Sequence, residues 1–383
     1  MLGFSTYAAL LPELRDAWAL SNSQAGIIGG MFFAGYAGTV SFWTALTDRT
    51  DPRNVYLAGS LIAVVGGAGF GLAAEGFVSA VVFQIALGIG IAATYMPGLR
   101  LLSDRISGPY QSRYIAFYTS FFGIGIALSL AIAGLLAPVL GWRAAFVLSA
   151  IGPLLSGVWV FLAISRTDRL KKGAFSLAVL FPLAAWRKVL ASRACAGYTY
   201  GYTVHCLELF GSRAWVVGFL VFSSTNSAFP WNLATIAAVV NLLSVPASIL
   251  GNEIALKTGR SRWILVSMVA SGSLGILLGL GAAWHWTLVL VLLLAYSIFI
   301  MADSGTLTAG LVAAAPAELR GAALGLYSLL GFGGGMLGPI IFGAALDAAG
   351  GAASPLAWVA AYAAIGAGCL AAPLVVRMNQ RPT

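Results

Sequence analysis

Charge is scarce in this chain. Of its 383 residues only 9% are Asp, Glu, Lys or Arg, whereas 60% are hydrophobic. A basic nucleic-acid binder would group its charge on a soluble domain, and no stretch here could form one. The two histidines, His205 and His285, cannot make a bis-histidine haem site within a membrane, and no His/Cys/carboxylate cluster has metal-ligand spacing. No Gly-x-x-x-x-Gly-Lys-Ser/Thr loop occurs, so ATP-driven pumping is unsupported. The three cysteines, Cys195, Cys206 and Cys369, fall inside or at the ends of apolar runs, which predicts small packing residues and no disulfide. The first residues lack a basic segment and a small-residue cleavage site, so no cleavable signal is expected. Neither an enzyme nor a bound cofactor is expected from this inventory.

What the chain does have is apolar length. A hydrocarbon core of about 30 Å takes about 20 apolar residues as a helix. Runs of that length lie at 22–46, 55–74, 78–103, 113–138, 143–164, 194–222, 231–256, 263–283, 286–312, 320–346 and 355–376, with a shorter stub at 1–12. The pattern predicts an all-α, multi-pass membrane protein. If residues 47–54 face the cytoplasm and each later span alternates, 18 of the 21 Lys and Arg lie at or near the inner side; Arg15, Arg143 and Arg213 are the exceptions. This bias predicts cytoplasmic termini in an inner or plasma membrane. The net charge of +9 then reports topology and contact with anionic headgroups, not nucleic acid. Trp284, His285 and Trp286 fall together at an outer boundary, like an aromatic belt.

The chain also repeats itself. The polar stretch 165–192, a cytoplasmic central loop by the charge count, separates a first half, 1–164, from a second, 193–383. At an offset of 207 Arg113 falls on Arg320, and close to that offset SFFGIGIAL (120–128) falls on SLLGFGGGM (328–336). The loop TALTDRTDPR (44–53) falls on GNEIALKTGR (251–260). Parallel six-span repeats of this kind build one large class of transporters. The partner expected for 194–222 would have Met1 in its middle, so the sequence is expected to begin within its first helix; a short re-entrant segment is the alternative.

These features resemble the major facilitator superfamily of secondary transporters, over the whole chain. The family's inner loop reads roughly Gly-x-Leu-Ala-Asp-Arg-x-Gly-Arg. Here Leu46, Asp48, Arg49 and Arg53 match it, with Thr44 and Asp51 at the glycine positions. The second copy keeps Gly251, Gly259 and Arg260 but has Ala255 where the Asp should be. The resemblance implies two six-helix bundles, twelve membrane helices with the first incomplete. It also implies a gating latch, carried to Asp48, Arg49 and Arg53, and in the second copy to Glu253 and Arg260; solvated turn charges that only fix topology are the alternative. Gln84 stands where the family's helix 4 usually carries an Arg, and residues 123–134 lack the helix-5 antiporter motif. GFGGGMLGP (331–339) is similar to that motif but lies in helix 11, where close helix packing explains its glycines.

Ionisable groups inside spans cost about 2.5–3.5 kcal/mol each at a helix centre, so each needs a reason. His205, Glu208 and Arg213 fall in the seventh span and Asp303 in the tenth, among Ser304, Thr306 and Thr308. His205 and Glu208 share a helix face, as do Asp303 and Thr306. The resemblance places both spans around a central cavity. Asp303 or Glu208 as a proton site with His205 as relay, a Glu208–Arg213 or Asp303–Arg pair that only locks helices, and a Na⁺ site at Asp303 and Thr306 all remain open. Tyr7, Gln84, Tyr95, Arg100, Asn241 and Tyr327 are further cavity candidates, Arg100 alternatively reaching the headgroups. The reading is a secondary active transporter of a small polar or anionic solute, proton-coupled and working as a monomer by alternating access. A non-transporting sensor or scaffold and a drug/proton efflux antiporter are the alternatives.

Overall fold

The computed structural model describes residues 1–106, 111–166 and 181–380. Residues 167–180 of the polar stretch and the side chain of Arg113 lie outside them. The described residues form α1 (Thr6–Ala17), α2 (Asn22–Leu46), α3 (Pro52–Ala73), α4 (Phe77–Ser103), α5 (Gln111–Ser149), α6 (Ile151–Ala163), α7 (Leu183–Ala191), α8 (Arg193–Ser224), α9 (Leu233–Thr258), α10 (Arg260–Leu280), α11 (Trp286–Ala302), α12 (Ser304–Ala314), α13 (Arg320–Ala348), α14 (Pro355–Leu370) and α15 (Ala372–Gln380).

Local chemistry sets these ends. Ser21 accepts from Gln24 N while the Gln24 side chain returns to Ser21 N, a capping box that starts α2. Asp51 caps α3 with Pro52 at its first position, and Asn232 caps α9. Gly259, at φ 95°, both ends α9 and opens α10, a backbone shape that a side chain would strain. The stretch expected to be a loop at 165–192 carries α7, whose Trp186 and Val189 are buried.

Ten described stretches are long and apolar enough to cross a membrane. One of them, Phe121–Ala163, has 43 residues. As a straight helix it would reach about 65 Å, twice the hydrocarbon thickness. It bends at Gly141, with φ 81° and ψ 159°, into arms with different neighbours. The first arm packs on α9, where Gly134 meets Ala234 and Gly123 meets Val245; the second packs on α3, where Arg143 O meets Gly71 and Ala150 meets Gly67. Leu72, Val78, Val139 and Leu162 are 72–79% exposed on the bundle's flanks, which suits lipid and not water.

The two halves meet along α2 and α13. Gly26 lies against Pro339 O and Gly343 against Asn22 O, approaches that any Cβ would block. A polar lock closes the end of this seam. The Asp347 carboxylate, at the end of α13, accepts from Asn22 N (3.1 Å), Asn22 Nδ2 (2.8 Å), Ser23 N (2.7 Å) and Ser23 Oγ (2.6 Å). An acid from one half thus caps the first helical turn of the other. Asn232 Nδ2 adds a second link by donating to Gly134 O at 3.1 Å.

Candidate functional site

The tenth apolar run, read from sequence as one helix, is broken at its acid. α11 ends at Ala302 and α12 starts at Ser304, leaving Asp303 between them. Trp263 Nε1 donates to Ala302 O at 2.9 Å, and Gly251 sits directly behind that carbonyl. The indole therefore pairs one of the carbonyls that the break releases.

Asp303 is only 2% exposed. His205 Nδ1 lies 2.8 Å from its Oδ1, in ion-pair contact. The approach angle does not make this a hydrogen bond, and Oδ1 accepts none among the described residues. When the imidazole is protonated, proximity at full burial binds the two electrostatically, because no water competes. The His205 ring lies near-parallel to Tyr202 at 5.7 Å, and Tyr202 stacks on Tyr327 at 3.9 Å. The Tyr327 hydroxyl is 3.0 Å from Thr308 Oγ1. Thr306 is fully buried beside this group, its hydroxyl without a hydrogen-bond partner among the described residues.

Glu208 belongs to the same buried region but turns away from Asp303. Its Oε2 accepts from Ser271 Oγ of α10 at 2.8 Å, and the carboxyl lies beside Cys369 and Gly366 of α14. It faces the interior of the second half. The three cysteines are buried and free.

Arg213 is differently placed. Its polar contact is Nη2 to Met301 Sδ at 3.5 Å, a weak acceptor, and no described carboxylate is within ion-pair reach. The Glu208–Arg213 pair considered from sequence is not formed. Instead Arg213 lines two cavities. The smaller, about 10 Å³, lies inside the second half among Asn241, Ser244, Tyr296 and Ser297. The larger, about 40 Å³, lies between the halves, with Tyr7, Gly29, Phe33 and Gln84 on one side and Phe210 on the other. That volume admits water molecules but no organic solute.

Of the other candidates, Tyr7 donates to Ala25 O at 2.9 Å, and Asn241 Nδ2 donates to Ala237 O at 2.8 Å. Gln84 is 2% exposed, with Oε1 unpaired among the described residues. Two candidates sit elsewhere. Tyr95 stacks on Tyr118 at 5.6 Å and lines neither cavity. Arg100 is held by Asp48 at 3.0 Å and Asp104 at 3.1 Å, because two acids at the helix ends outcompete a distant cavity. The latch expectation changes with it. Asp48 pairs within its own half in this conformation, and Arg53 is buried there, donating to Phe161 O at 2.7 Å with its guanidinium over the Phe161 ring. Arg49 lies in the same turn. In the second copy Gly251 packs on the helix break, Glu253 is exposed, and Arg260 is half-buried with Nε unpaired.

Sequence reasoning missed three parts of the site: Trp263 at the break, Ser271 on Glu208, and the phenylalanine wall of the larger cavity, Phe4, Phe32, Phe33 and Phe210. None of the three left a signal in the sequence.

A sequence model of the Major Facilitator Superfamily matches residues 1–339. The chain belongs to that superfamily. A protein of Escherichia coli (strain K12) named as a probable L-galactonate transporter is 24% identical over 355 residues, covering 87% of this chain and 77% of that one. The niacin transporter NiaP of Acinetobacter baylyi is 24% identical over 159 residues, 42% of this chain and 35% of its own. Among solved structures, a bacterial homologue of the human lysosomal transporter Spinster, inward-facing and unoccupied, superposes with a TM-score of 0.74 at 17% identity, covering 99% of this chain and 92% of that one. The protein is a multi-pass membrane transporter, not an enzyme.

Proposed function

We propose that the protein moves a small organic anion between its two halves by alternating access, driven by protons carried at His205 and Asp303. The observation that carries the anion is Arg213: a guanidinium at a cavity between the halves, with no described carboxylate to neutralise it. Such a cation is costly in a membrane unless a ligand pairs with it, and Arg matches a carboxylate with two parallel hydrogen bonds. The relatives' names agree in kind, since L-galactonate and niacin are both carboxylic acids. The proton reading rests on the buried His205–Asp303 contact at a helix break, the type of discontinuity that lines transporter sites.

Among the described residues, two crossings in Phe121–Ala163, one in each of the nine other long apolar stretches and α1 as part of a further one fit a twelve-span arrangement with the C-terminus on the cytoplasmic side. One copy contains every group the mechanism needs. The test is uptake of labelled carboxylates into proteoliposomes under an imposed pH gradient. Wild type should accumulate an anion only with the gradient, and Arg213→Gln should abolish its binding. Binding that survives Arg213→Gln would overturn the reading.

A further inference from the structure

The walls of the larger cavity are more specific than its charge. Phe4, Phe32 and Phe33 come from the first half and Phe210 from the second. Phe4 and Phe32 meet edge to face at 4.7 Å, Phe32 and Phe33 at 5.2 Å, and Phe33 reaches Phe210 at 4.4 Å across the seam. The first two pairs are set nearly at right angles and the third is tilted at 45°, so the rings present both faces and edges, the two surfaces that a flat aromatic ring packs against.

Polar groups are few and each is distinct. The Tyr7 hydroxyl is already spent on Ala25 O. That leaves the Ser5 hydroxyl, the Arg213 guanidinium and Gln84, whose amide oxygen is buried and unpaired among the described residues. A buried acceptor without a donor is unusual enough to need a partner. A polyhydroxylated acid would enter with several hydroxyls and find too few partners, and each one left unpaired costs affinity.

We infer that this cavity seats a planar aromatic carboxylate bearing a ring hydroxyl, its carboxylate on Arg213, its ring between the phenylalanines and its hydroxyl donated to Gln84 Oε1. The inference rests on the organic-anion reading and narrows it. Because the walls belong to both halves, parting them enlarges the 40 Å³ space for the ring, and closing them around the ring brings Gln84 and Arg213 to bear together.

The test is binding to the full-length protein in nanodiscs, by calorimetry, of 3- and 4-hydroxybenzoate, benzoate, cyclohexanecarboxylate, gluconate and benzamide. A hydroxybenzoate should bind tightest, benzoate about tenfold more weakly for one lost hydrogen bond, cyclohexanecarboxylate weaker again, and gluconate and benzamide not measurably. Gln84→Leu should erase the hydroxybenzoate advantage over benzoate, and a wild-type-like Tm for the variant shows that it is folded. An advantage that persists in Gln84→Leu overturns the inference. Gluconate binding with the aromatic acids silent overturns it while leaving the organic-anion reading intact. Benzamide binding as well as benzoate, or silence from every carboxylate, overturns both.

Discussion

Asp347→Ala should open the seam between the halves at the end where α13 meets α2. The carboxylate accepts four hydrogen bonds of 2.6–3.1 Å from Asn22 and Ser23, two of them from backbone at the start of α2. Buried charge-assisted bonds contribute about 1.5–3 kcal/mol each, but Asp347 is exposed and screening leaves only a fraction of that. Losing a helix cap costs about 1 kcal/mol, and losing the charge at the helix start about 0.3–1 kcal/mol. The net loss is about 1–2 kcal/mol, roughly 5- to 30-fold in the balance between closed and open seams. Spin labels at Glu75→Cys and Ala353→Cys, exposed positions in the two halves, read that balance as a distance distribution; the native cysteines are buried and free. Asp347→Ala should add a longer-distance population, and Asp347→Asn, which keeps an acceptor but no charge, a smaller one. Identical distributions for wild type and Asp347→Ala would refute the lock.

Trp263→Phe should lower thermal stability by about 1–3 kcal/mol, the cost of leaving Ala302 O unpaired. Trp43→Phe is its control, because the Trp43 indole N–H has no hydrogen-bond partner among the described residues, and equal shifts in Tm would show that the break needs no indole. Gly251→Ala would drive a Cβ into Ala302 O and should cost about 1–3 kcal/mol, read by the same measurement. Asp303→Asn in proteoliposomes should retain solute exchange but lose accumulation driven by a pH gradient; full accumulation would remove Asp303 from the proton path.

The helices were legible because each crossing must be apolar over its whole length, and the caps Ser21, Asp51 and Asn232 stand where the runs begin. The break at Asp303 was not. ADSGTLTAG contains no proline, and only the Trp263 indole arriving from α10 marks its released carbonyl. His205 and Glu208 were correctly placed on one side of a helix, but three residues leave them about 60° apart in azimuth. In a packed bundle that angle separates different neighbours: His205 reaches Asp303, and Glu208 reaches Ser271 and the edge of α14. Arg100 could be assigned only with Asp48, 52 residues earlier, in view. The phenylalanine wall was hidden for a related reason. Hydropathy scores a ring that faces lipid and a ring that faces a cavity alike.

Chemistry is divided unequally between the repeated halves. The first half gives the larger cavity three of its four phenylalanines and Gln84; the second gives Phe210 and every carboxylate, imidazole and guanidinium of the site. Two of the second half's contacts join the same pair of segments. Arg213 touches Met301 at the end of α11, and two residues on, Asp303 pairs with His205, eight residues before Arg213 on α8. Eight residues span about 12 Å along a helix axis, so α8 is pinned to the broken helix at two levels. One contact involves the cation that faces the cavity and the other an acid–histidine pair that can hold a proton. On the proposed function, neutralising Asp303 should loosen the second contact and let α8 shift against α11, moving Arg213 as well. Solute affinity and proton occupancy should then be linked, each changing the other by the same factor.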